Sequence, residues 1–277
     1  MKLGLNGSTT DQCHLLEDID VAKAAGFDLL ELRTYKIAQY LKDGGNLEDL
    51  RQAFNAKNVA PYAINALEFF TLKKDEKEKN EMLKEAEYWC QVAQNIGCPY
   101  LVAVPARHNK ESEAEIRKDA VKSLKQVGAI AEKYDVKIAL EFIGFEDFSV
   151  RTLELANHIV TQVDRENVGI VVDTYHFYIG ESTLASVKQV DEENIFIFHI
   201  NDAEKGIIKQ DLTEDHRVFP GIGAMPLTEI GQAFKSIGYQ KMMSLELFNK
   251  DYWEMDKYEL GKEAYKHVRD AADFMFE

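Results

Sequence analysis

Short apolar runs alternate with longer amphipathic stretches along the whole chain. Each apolar run is short enough to be one strand buried on both faces, and the stretches between them repeat apolar positions at helical spacing. This pattern predicts strands at residues 3–6, 29–33, 61–66, 100–104, 137–142, 168–172, 195–200 and 241–247. It predicts helices at residues 11–25, 47–57, 75–95, 111–134, 150–161, 182–189, 226–237 and 256–276.

Eight strand–helix units in sequence indicate an α/β fold. Strands that alternate with helices pair in parallel through right-handed crossovers. A chain of 277 residues with eight such units fits a closed, eight-stranded (β/α)8 TIM barrel better than an open sheet. No Pro/Ser-rich linker divides the sequence, so we expect residues 1–277 to form a single domain. The connection at residues 201–225 is long, which is typical of a lid or a binding loop.

Four of the predicted strands end on a side chain that can bind a metal ion. Glu141, Asp173, His199 and Glu246 stand at or next to the C-terminal ends of strands five to eight. Side chains two residues apart share a face of a strand, and the residues below each candidate on its face are mostly small or aliphatic. We therefore expect all four to point into the barrel at its C-terminal mouth, where barrel active sites form.

Three carboxylates at one place require a compensating charge. Unpaired, they would repel one another and be costly to desolvate. The candidate lysines, Lys137 and Lys241, stand at the opposite ends of their strands. A lone histidine on an apolar strand is more often a hydrogen-bonded core residue, but this set together predicts one divalent metal ion. Oxygen ligands with one imidazole favour Mn²⁺ or Zn²⁺, with Mg²⁺ and Co²⁺ as alternatives.

Composition removes several classes of partner. The net charge of −15 disfavours nucleic acid and anionic membrane surfaces. No apolar run is long enough for a membrane helix, and the N-terminus lacks the apolar core of a signal peptide. The three cysteines show no CxxC spacing, so we expect free thiols and a cytoplasmic location. The sequence leaves open whether the chain forms a homo-oligomer.

Motif absences narrow the chemistry. The chain has neither a P-loop nor a GxGxxG after its first strand, so no nucleotide cofactor is expected. Residues 220–223 (PGIG) superficially resemble a phosphate loop, but no strand precedes them and a turn is the favoured interpretation. No lysine is predicted inside the barrel for a Schiff base.

A carboxylate-held metal beside spare carboxylate oxygens suits isomerisation or epimerisation of a hydroxy-ketone. The cation would stabilise an enediolate. One glutamate, Glu141 or Glu246, would remove the proton next to the carbonyl, and the other glutamate or a water would return it. We therefore expect a small polyhydroxylated ketone as substrate.

Several longer segments strengthen this interpretation. Nearly end to end, the chain resembles the xylose isomerase-like family of barrels, on segments 31–34 (ELRT), 64–67 (INAL), 102–105 (VAVP), 137–142 (KIALEF), 167–177 (NVGIVVDTYHF), 195–200 (IFIFHI), 215–224 (DHRVFPGIGA) and 244–248 (SLELF). The resemblance implies that Glu141, Asp173, His199 and Glu246 bind the metal and that the two glutamates exchange the proton. It also implies that His176 and Arg217 hold substrate oxygens.

One departure from the family pattern concerns the loop after strand five. Related epimerases carry a further glutamate there that orients the carboxylate which transfers the proton. This chain has two acids in that loop, Glu146 and Asp147, and the sequence does not decide between them.

Four further residues are candidates for the substrate site. Asn65 ends strand three and is a candidate donor to a hydroxyl group. Glu31 and Arg33 share a strand face, either as a buried ion pair or as substrate contacts. Trp253, with Tyr252, follows strand eight, where it would cover an apolar ring face or pack in a loop.

Other functions compete with this one. The same chemistry would serve a free ketohexose or hydroxypyruvate. A repair nuclease of the endonuclease IV type shares this kind of barrel but needs several zinc-binding histidines and a basic groove. A barrel that binds sugar without catalysis would show stoichiometric metal and no exchange of substrate protons.

Overall fold

The computed structural model describes residues 1–108 and 110–276. In chain order its strands are β1 (Lys2–Asn6), β2 (Leu29–Arg33), β3 (Ala60–Leu67), β4 (Tyr100–Ala103), β5 (Lys137–Glu141), β6 (Val168–Asp173), β7 (Ile195–Ile200), β8 (Asp202–Ala203), β9 (Arg217–Val218) and β10 (Met242–Leu245). Eight of these strands, all except β8 and β9, pair in parallel and close into a barrel in which β1 joins β10. The predicted TIM barrel is confirmed.

Helices surround the barrel. They are α1 (Leu15–Ala25), α2 (Thr34–Lys42), α3 (Leu47–Lys57), α4 (Glu76–Ile96), α5 (Glu113–Ala131), α6 (Leu153–Val163), α7 (Thr174–Ile179), α8 (Leu184–Val187), α9 (Leu227–Ser236), α10 (Lys250–Trp253) and α11 (Lys257–Phe276). The long helices contact their neighbours in sequence around the ring, and α11 closes it against α1. Within the described residues, none of the helices has the length and apolarity to cross a membrane.

The alternation of side chains along the strands separates two cores. The outward residues Leu140, Val172 and Phe198 belong to the large core between the strands and the helices. The inward residues Ala139 and Val171, with Ile197, belong to a smaller apolar cluster inside the barrel. The predicted orientation of these strands is therefore confirmed, because each strand-end ligand shares the face of its inward apolar neighbour.

Two short helices that the hydrophobic pattern did not predict follow strands directly. The carboxylate of Asp173 caps α7, since its Oδ1 accepts hydrogen bonds from the N–H groups of Tyr175 and His176 at 2.7 and 3.0 Å. The other, α2, begins at Thr34 with no intervening turn. Conversely, the predicted helix at residues 182–189 is shortened to α8, and α1 begins at Leu15 instead of residue 11.

A tertiary contact explains the late start of α1. The buried ammonium group of Lys36 donates to the carbonyl oxygens of Gly7 and Thr10 at 2.9 and 2.8 Å, and it also pairs with Asp18. These contacts hold the segment after β1 as a series of turns. A local interaction then sets the start of the helix, since the backbone N–H of His14 donates to Glu17 at 2.9 Å.

The long connection after β7 is ordered around one buried carboxylate. It contains the antiparallel pair of β8 and β9. Asp202 accepts hydrogen bonds from the backbone N–H groups of Gly221, Gly223 and Met225 at 2.9–3.1 Å. Gly221 has a φ of 88°, a conformation that glycine adopts without strain. The PGIG segment is therefore a turn whose N–H groups bind the protein's own aspartate, as favoured from the sequence.

Candidate metal centre

Four of the predicted residues meet at the C-terminal mouth of the barrel. Glu141 and Asp173 are the last residues of β5 and β6, His199 lies near the end of β7, and Glu246 directly follows β10. Each offers one ligand atom, and these atoms all lie within 4.8 Å of one another. All four side chains are buried. The parallel barrel therefore brings together groups that are widely separated in the sequence.

The two ring nitrogens of His199 have different surroundings. Nδ1 faces Glu141 Oε1 at 3.1 Å and Glu246 Oε2 at 3.3 Å. Asp173 Oδ2 lies further from it, at 3.7 Å. Nε2 lies 3.1 Å from both carboxylate oxygens of Glu31, on the opposite side of the ring. The imidazole therefore directs one nitrogen into the cluster and anchors the other outside it.

Two arginines, and no strand-end lysine of the described residues, approach the carboxylates. Arg217 Nη1 lies 2.6 Å from Asp173 Oδ2 and 3.4 Å from Glu246 Oε2. Arg33 Nη1 lies 3.4 Å from Glu246 Oε1. Arg217 comes from β9 and Arg33 from β2, so only the folded chain places them here. The arginines reduce the repulsion among the carboxylates, so this repulsion alone does not require a cation. The arrangement of the ligand atoms is the stronger reason to expect one.

Burial and neighbouring charges move the pKa values of the two glutamates in opposite directions. Burial and the nearby Glu246 carboxylate raise the pKa of Glu141 to about 7. Burial also acts to raise the pKa of Glu246, but the positive charges of His199 and Arg217 outweigh it and lower that pKa. Burial likewise opposes a charge on His199, but its carboxylate neighbours raise its pKa well above the ordinary value. The cluster thus favours a positive charge at its centre.

The donor set fits a divalent cation. Zinc bonds to oxygen and nitrogen of about 2.0–2.2 Å place the ligands of one ion at most about 4.4 Å apart. Ligand atoms within 4.8 Å of one another need only a small adjustment to reach this arrangement. Three carboxylates and one imidazole are ligands that zinc and manganese share. Two amides support the carboxylates, since Asn6 Nδ2 donates to Glu246 and Asn201 Nδ2 to Asp173 at 3.0 and 3.1 Å.

A cavity of about 210 Å³ lies above this cluster. Its polar lining includes both glutamates of the cluster together with Arg33, Asn65, His176 and Arg217. Two further acids, Glu68 and Glu214, line it too, and the apolar part of the lining is Ala66, Phe69, Val104, Ile143, Phe148 and Phe248. A cavity lined by both charged and apolar side chains suits a small ligand with several oxygens and a C–H surface.

His176 supplies a free donor beside this cavity. Its Nε2 accepts a hydrogen bond from Arg217 Nη2 at 3.0 Å. Burial lowers the pKa of His176, so the ring is neutral and its single proton lies on Nδ1. This buried Nδ1 has no hydrogen-bond partner in the part of the chain that the structure describes, and the same is true of Arg33 Nε. Such groups ordinarily have a partner, and a ligand oxygen or a water at the cavity would supply one.

The structure separates the remaining candidates into two groups. Asn65 and Arg33 line the cavity, as expected of substrate-binding residues. Glu31 does not line it; the residue is fully buried against His199 and accepts from Asn65 Nδ2 at 3.0 Å. Glu31 therefore neither pairs with Arg33 nor contacts the cavity, the two roles predicted for it.

The aromatic surface of the cavity comes from residues other than Trp253, the candidate for covering an apolar ring face. Trp253 does not line the cavity, because its indole N–H donates to the carbonyl oxygen of Ser8 at 3.0 Å. Tyr252 instead stacks on Phe219, with ring centroids 4.3 Å apart. Phe69 and Phe148 provide aromatic surface in the cavity, and no strand-end signal marked either of them.

Neither acid in the loop after β5 lines the cavity. Asp147 pairs with Arg107 at the surface, and Glu146 is exposed. A different acid, Glu214, does line it; its carboxylate accepts from Arg217 Nε and lies 3.7 Å from His176 Nε2. The sequence analysis missed Glu214 because the long loop after β7 carries no strand periodicity that would orient it.

Comparison with known proteins gives a consistent result. Residues 19–275 match the family model described as xylose isomerase-like TIM barrel. Inosose isomerase of Bacillus subtilis (strain 168) is 39% identical over 279 aligned positions, which cover 100% of this chain and 99% of that protein. Inosose isomerase of Bacillus velezensis is 39% identical over 267 positions, covering 95% of this chain and 94% of that protein.

A solved structure agrees with these matches. The crystal structure of the IOLI protein with a bound zinc atom superimposes with a TM-score of 0.95 at 39% identity, and the match covers 99% of each chain.

Proposed function

Because the chain belongs to the xylose isomerase-like TIM barrel family, we propose that it is a metal-dependent isomerase of inositol catabolism. It interconverts inososes, from 2-keto-myo-inositol to 1-keto-D-chiro-inositol, by moving a proton between neighbouring carbons. The relatives named inosose isomerase support the substrate class. One observation carries the proposal: four ligand atoms within 4.8 Å of one another lie below a cavity with unsatisfied donors.

Glu141, Asp173, His199 and Glu246 hold the metal in this proposal. A bound divalent cation supplies a Lewis acid that polarises the substrate carbonyl and stabilises the negative charge of the enediolate. Zinc is the first ion to test, since the similar IOLI structure contains it. Zinc and manganese use the same donor types, so the physiological ion is a question for measurement.

The two glutamates exchange the proton. Contacts with Arg33 and Arg217 favour the ionised form of Glu246, which is the base that removes the proton from the hydroxyl-bearing carbon next to the carbonyl. Glu141 or a water returns a proton to the former carbonyl carbon, and the proton of the neighbouring hydroxyl passes to the former carbonyl oxygen, so that the ketone moves by one carbon. His176 Nδ1 and the Arg33 guanidinium donate to substrate oxygens, because both have N–H groups without a protein partner at the cavity. The apolar wall excludes water from the reacting carbons.

Proton NMR in D₂O tests the proposal directly. The protein is loaded with zinc or manganese, incubated with 2-keto-myo-inositol, and followed with and without a chelator whose removal of the metal is verified. We expect deuterium uptake next to the carbonyl, a new ketone isomer, and loss of both after chelation. Uptake that survives complete metal removal would contradict the role of the metal.

A matched carboxylate variant controls the test. Glu146→Gln changes an exposed acid outside the cavity and is expected to retain full exchange. Loss of exchange in that variant would assign a catalytic part to the loop after β5. If the wild-type protein holds metal but leaves the inosose unlabelled, the same assay with a ketohexose and with hydroxypyruvate decides between the alternative substrates. No exchange on any of them would favour a binding protein.

A further inference from the structure

Glu31 is a buried carboxylate that the proposed mechanism does not use. It is fully buried on the inward face of β2, below His199. Within the described part of the chain, its one cationic partner within 4.0 Å is the imidazole of His199. A buried carboxylate without a lysine or arginine partner is costly unless its hydrogen bonds are well satisfied. Its contacts therefore indicate what it does.

The contacts of Glu31 are directed at one nitrogen. Both of its carboxylate oxygens lie 3.1 Å from His199 Nε2. Asn65 Nδ2 donates to Oε2 at 3.0 Å, which fixes the rotation of the carboxylate from the side. Asn65 lies in the adjacent strand β3, where it pairs in register with Arg33 of β2. Two strands thus hold the carboxylate rigidly against the ring.

The opposite nitrogen of the same ring faces the candidate metal centre. Nδ1 lies 3.1 Å from Glu141 and 3.3 Å from Glu246. A carboxylate only accepts, so its partner at Nε2 must carry the ring proton. A histidine that binds a metal must present an unprotonated nitrogen, and a carboxylate on its other nitrogen fixes that tautomer and makes the ligand more basic.

We propose that Glu31 is a positioning residue of the metal centre, which holds the ring proton of His199 on Nε2 so that Nδ1 is presented to the ion. This inference rests on the metal site of the proposed function and assigns to Glu31 a role other than the substrate contact expected from the sequence. Asn65 then has two functions, because it lines the cavity and also orients Glu31.

Zinc affinity, measured by competition with a chromogenic chelator, tests this role without any substrate. In Glu31→Gln the negative charge is lost while the side-chain volume is nearly kept. We expect the affinity of the folded protein to fall about 10- to 100-fold, the range found when such outer partners are removed. Zinc affinity equal to that of the wild type in folded Glu31→Gln would overturn the proposal.

Asp18→Asn is the matched control. Asp18 is also a buried carboxylate with hydrogen bonds, but its partners are Lys36 and Thr10 and not the cluster. We expect this variant to lose stability and keep its zinc affinity within about twofold. An equal loss of affinity in Asp18→Asn would show that affinity follows general stability, and it would overturn the specific role of Glu31.

A spectroscopic measurement separates positioning from packing. In zinc-loaded wild-type protein we expect the Nε2 proton of His199 as a downfield, slowly exchanging resonance, because a buried carboxylate accepts it. The resonance should move upfield in Glu31→Gln. An Nε2 proton that exchanges freely with solvent in the zinc-loaded wild type would contradict the proposed contact.

A second variant keeps the test usable if Glu31→Gln does not fold. Asn65→Ala retains the Glu31 charge but removes the group that orients it, and we expect a smaller loss of zinc affinity, below about tenfold. Unchanged zinc affinity in Asn65→Ala would argue that Asn65 does not orient Glu31 toward His199. Failure of the wild-type protein to bind zinc or manganese would overturn this inference and the proposed function together. Unchanged affinity in Glu31→Gln, with binding by the wild type, would overturn this inference alone.

Discussion

The two ends of the barrel interior are built from the same strands and carry opposite chemistry. At the N-terminal end, the rings of Tyr62, Tyr100 and Phe196 pack with centroids 4.9 and 5.3 Å apart. The hydroxyl group of Tyr62 donates to the carbonyl oxygen of Phe196 at 2.9 Å, so this aromatic plug leaves that polar group paired. At the C-terminal end, three carboxylates and an imidazole crowd within 4.8 Å.

Apolar core positions and candidate ligands lie only two residues apart on the same strand. In β5 the inward side chain changes from Ala139 in the apolar cluster to Glu141 in the metal centre, two residues along the strand. The apolar end gains stability from burial and needs no specific partner. At the charged end, burial is costly for each group that lacks an ionic or hydrogen-bonding partner, so partners must be placed with specific geometry. Variants at the two ends should therefore fail in different ways.

The largest effect is expected from Glu246→Gln at the charged end. The amide keeps an oxygen for the metal but cannot remove a proton, and the loss of a positioned base lowers rates by about 10²–10⁴-fold. We expect deuterium exchange to become undetectable. The measurement is the NMR assay above with zinc in excess, because an amide binds the ion more weakly than a carboxylate. Bound zinc and circular dichroism are recorded to show that the variant is loaded and folded. Full exchange in a folded, metal-loaded variant would remove the proposed role of Glu246.

Phe196→Ala tests the apolar end. Removing a buried phenylalanine ring from a packed cluster is expected to lower the free energy of unfolding by about 3–5 kcal/mol. The exchange rate per folded molecule should be unchanged, since the plug contacts no catalytic group. Urea unfolding of the zinc-loaded protein measures the first quantity and the NMR assay the second. A stable variant with a large loss of rate would mean that the two ends are coupled.

The stability of the wild-type protein should depend on pH through the charged end of the barrel interior and not through the apolar end. The pKa of Glu141 in the folded protein is raised from 4.5 to about 7. Folding therefore favours its protonated form, and this contribution is present below about pH 4.5 and lost as the pH rises through about 7. A bound cation reverses the preference, so zinc should raise the melting temperature more at pH 8 than at pH 5.5.

Thermal unfolding with and without zinc at these two pH values checks this expectation. Glu141→Gln is the control, because it removes one titrating carboxyl group and should reduce the dependence of metal-free stability on pH, with His199 supplying the remainder. If zinc raised the melting temperature of the wild type equally at both pH values, the raised pKa of Glu141 would be contradicted.

Glu214→Gln is expected to give the smallest effect. Glu214 pairs with Arg217 but is more than a third exposed, and such partly screened pairs contribute about 1 kcal/mol. A loss of this size corresponds to about a fivefold lower kcat/KM, with unchanged metal affinity. Steady-state kinetics measure it, and the neighbouring exposed acid in Asp215→Asn serves as control. A loss above a hundredfold would place Glu214 in the proton transfer itself.

Much of the fold followed from local pattern. Period-two alternation in β5, β6 and β7 assigned the inward faces correctly because a strand has only two faces. The start of α1 was predicted wrongly, since Lys36 holds the preceding segment from another element. Helix α7 was not predicted, although an aspartate directly before it is a recognised N-cap signal.

The candidate ligands were predictable for the same reason as the faces, whereas most contacts made by the groups around them were not. Asn6 is the last residue of β1, as Asp173 is of β6, so its approach to Glu246 could have been inferred from position. Arg217 and Glu214 stand in or beside a long connection without periodicity, and their contacts depend on how that loop closes over the mouth. The contact of Glu31 with His199 depends on which strands face each other across the barrel.

The sequence by itself determined the barrel, the end at which chemistry lies and the four candidate ligands. These depend on hydrophobic period and on the order of strands, which are properties of the chain taken one segment at a time. Only the tertiary structure decided which nitrogen of His199 faces the carboxylates, which arginines pair with them and that Glu214 lines the cavity. Those outcomes depend on distances of a few ångströms between distant segments, and closure of the barrel fixes them.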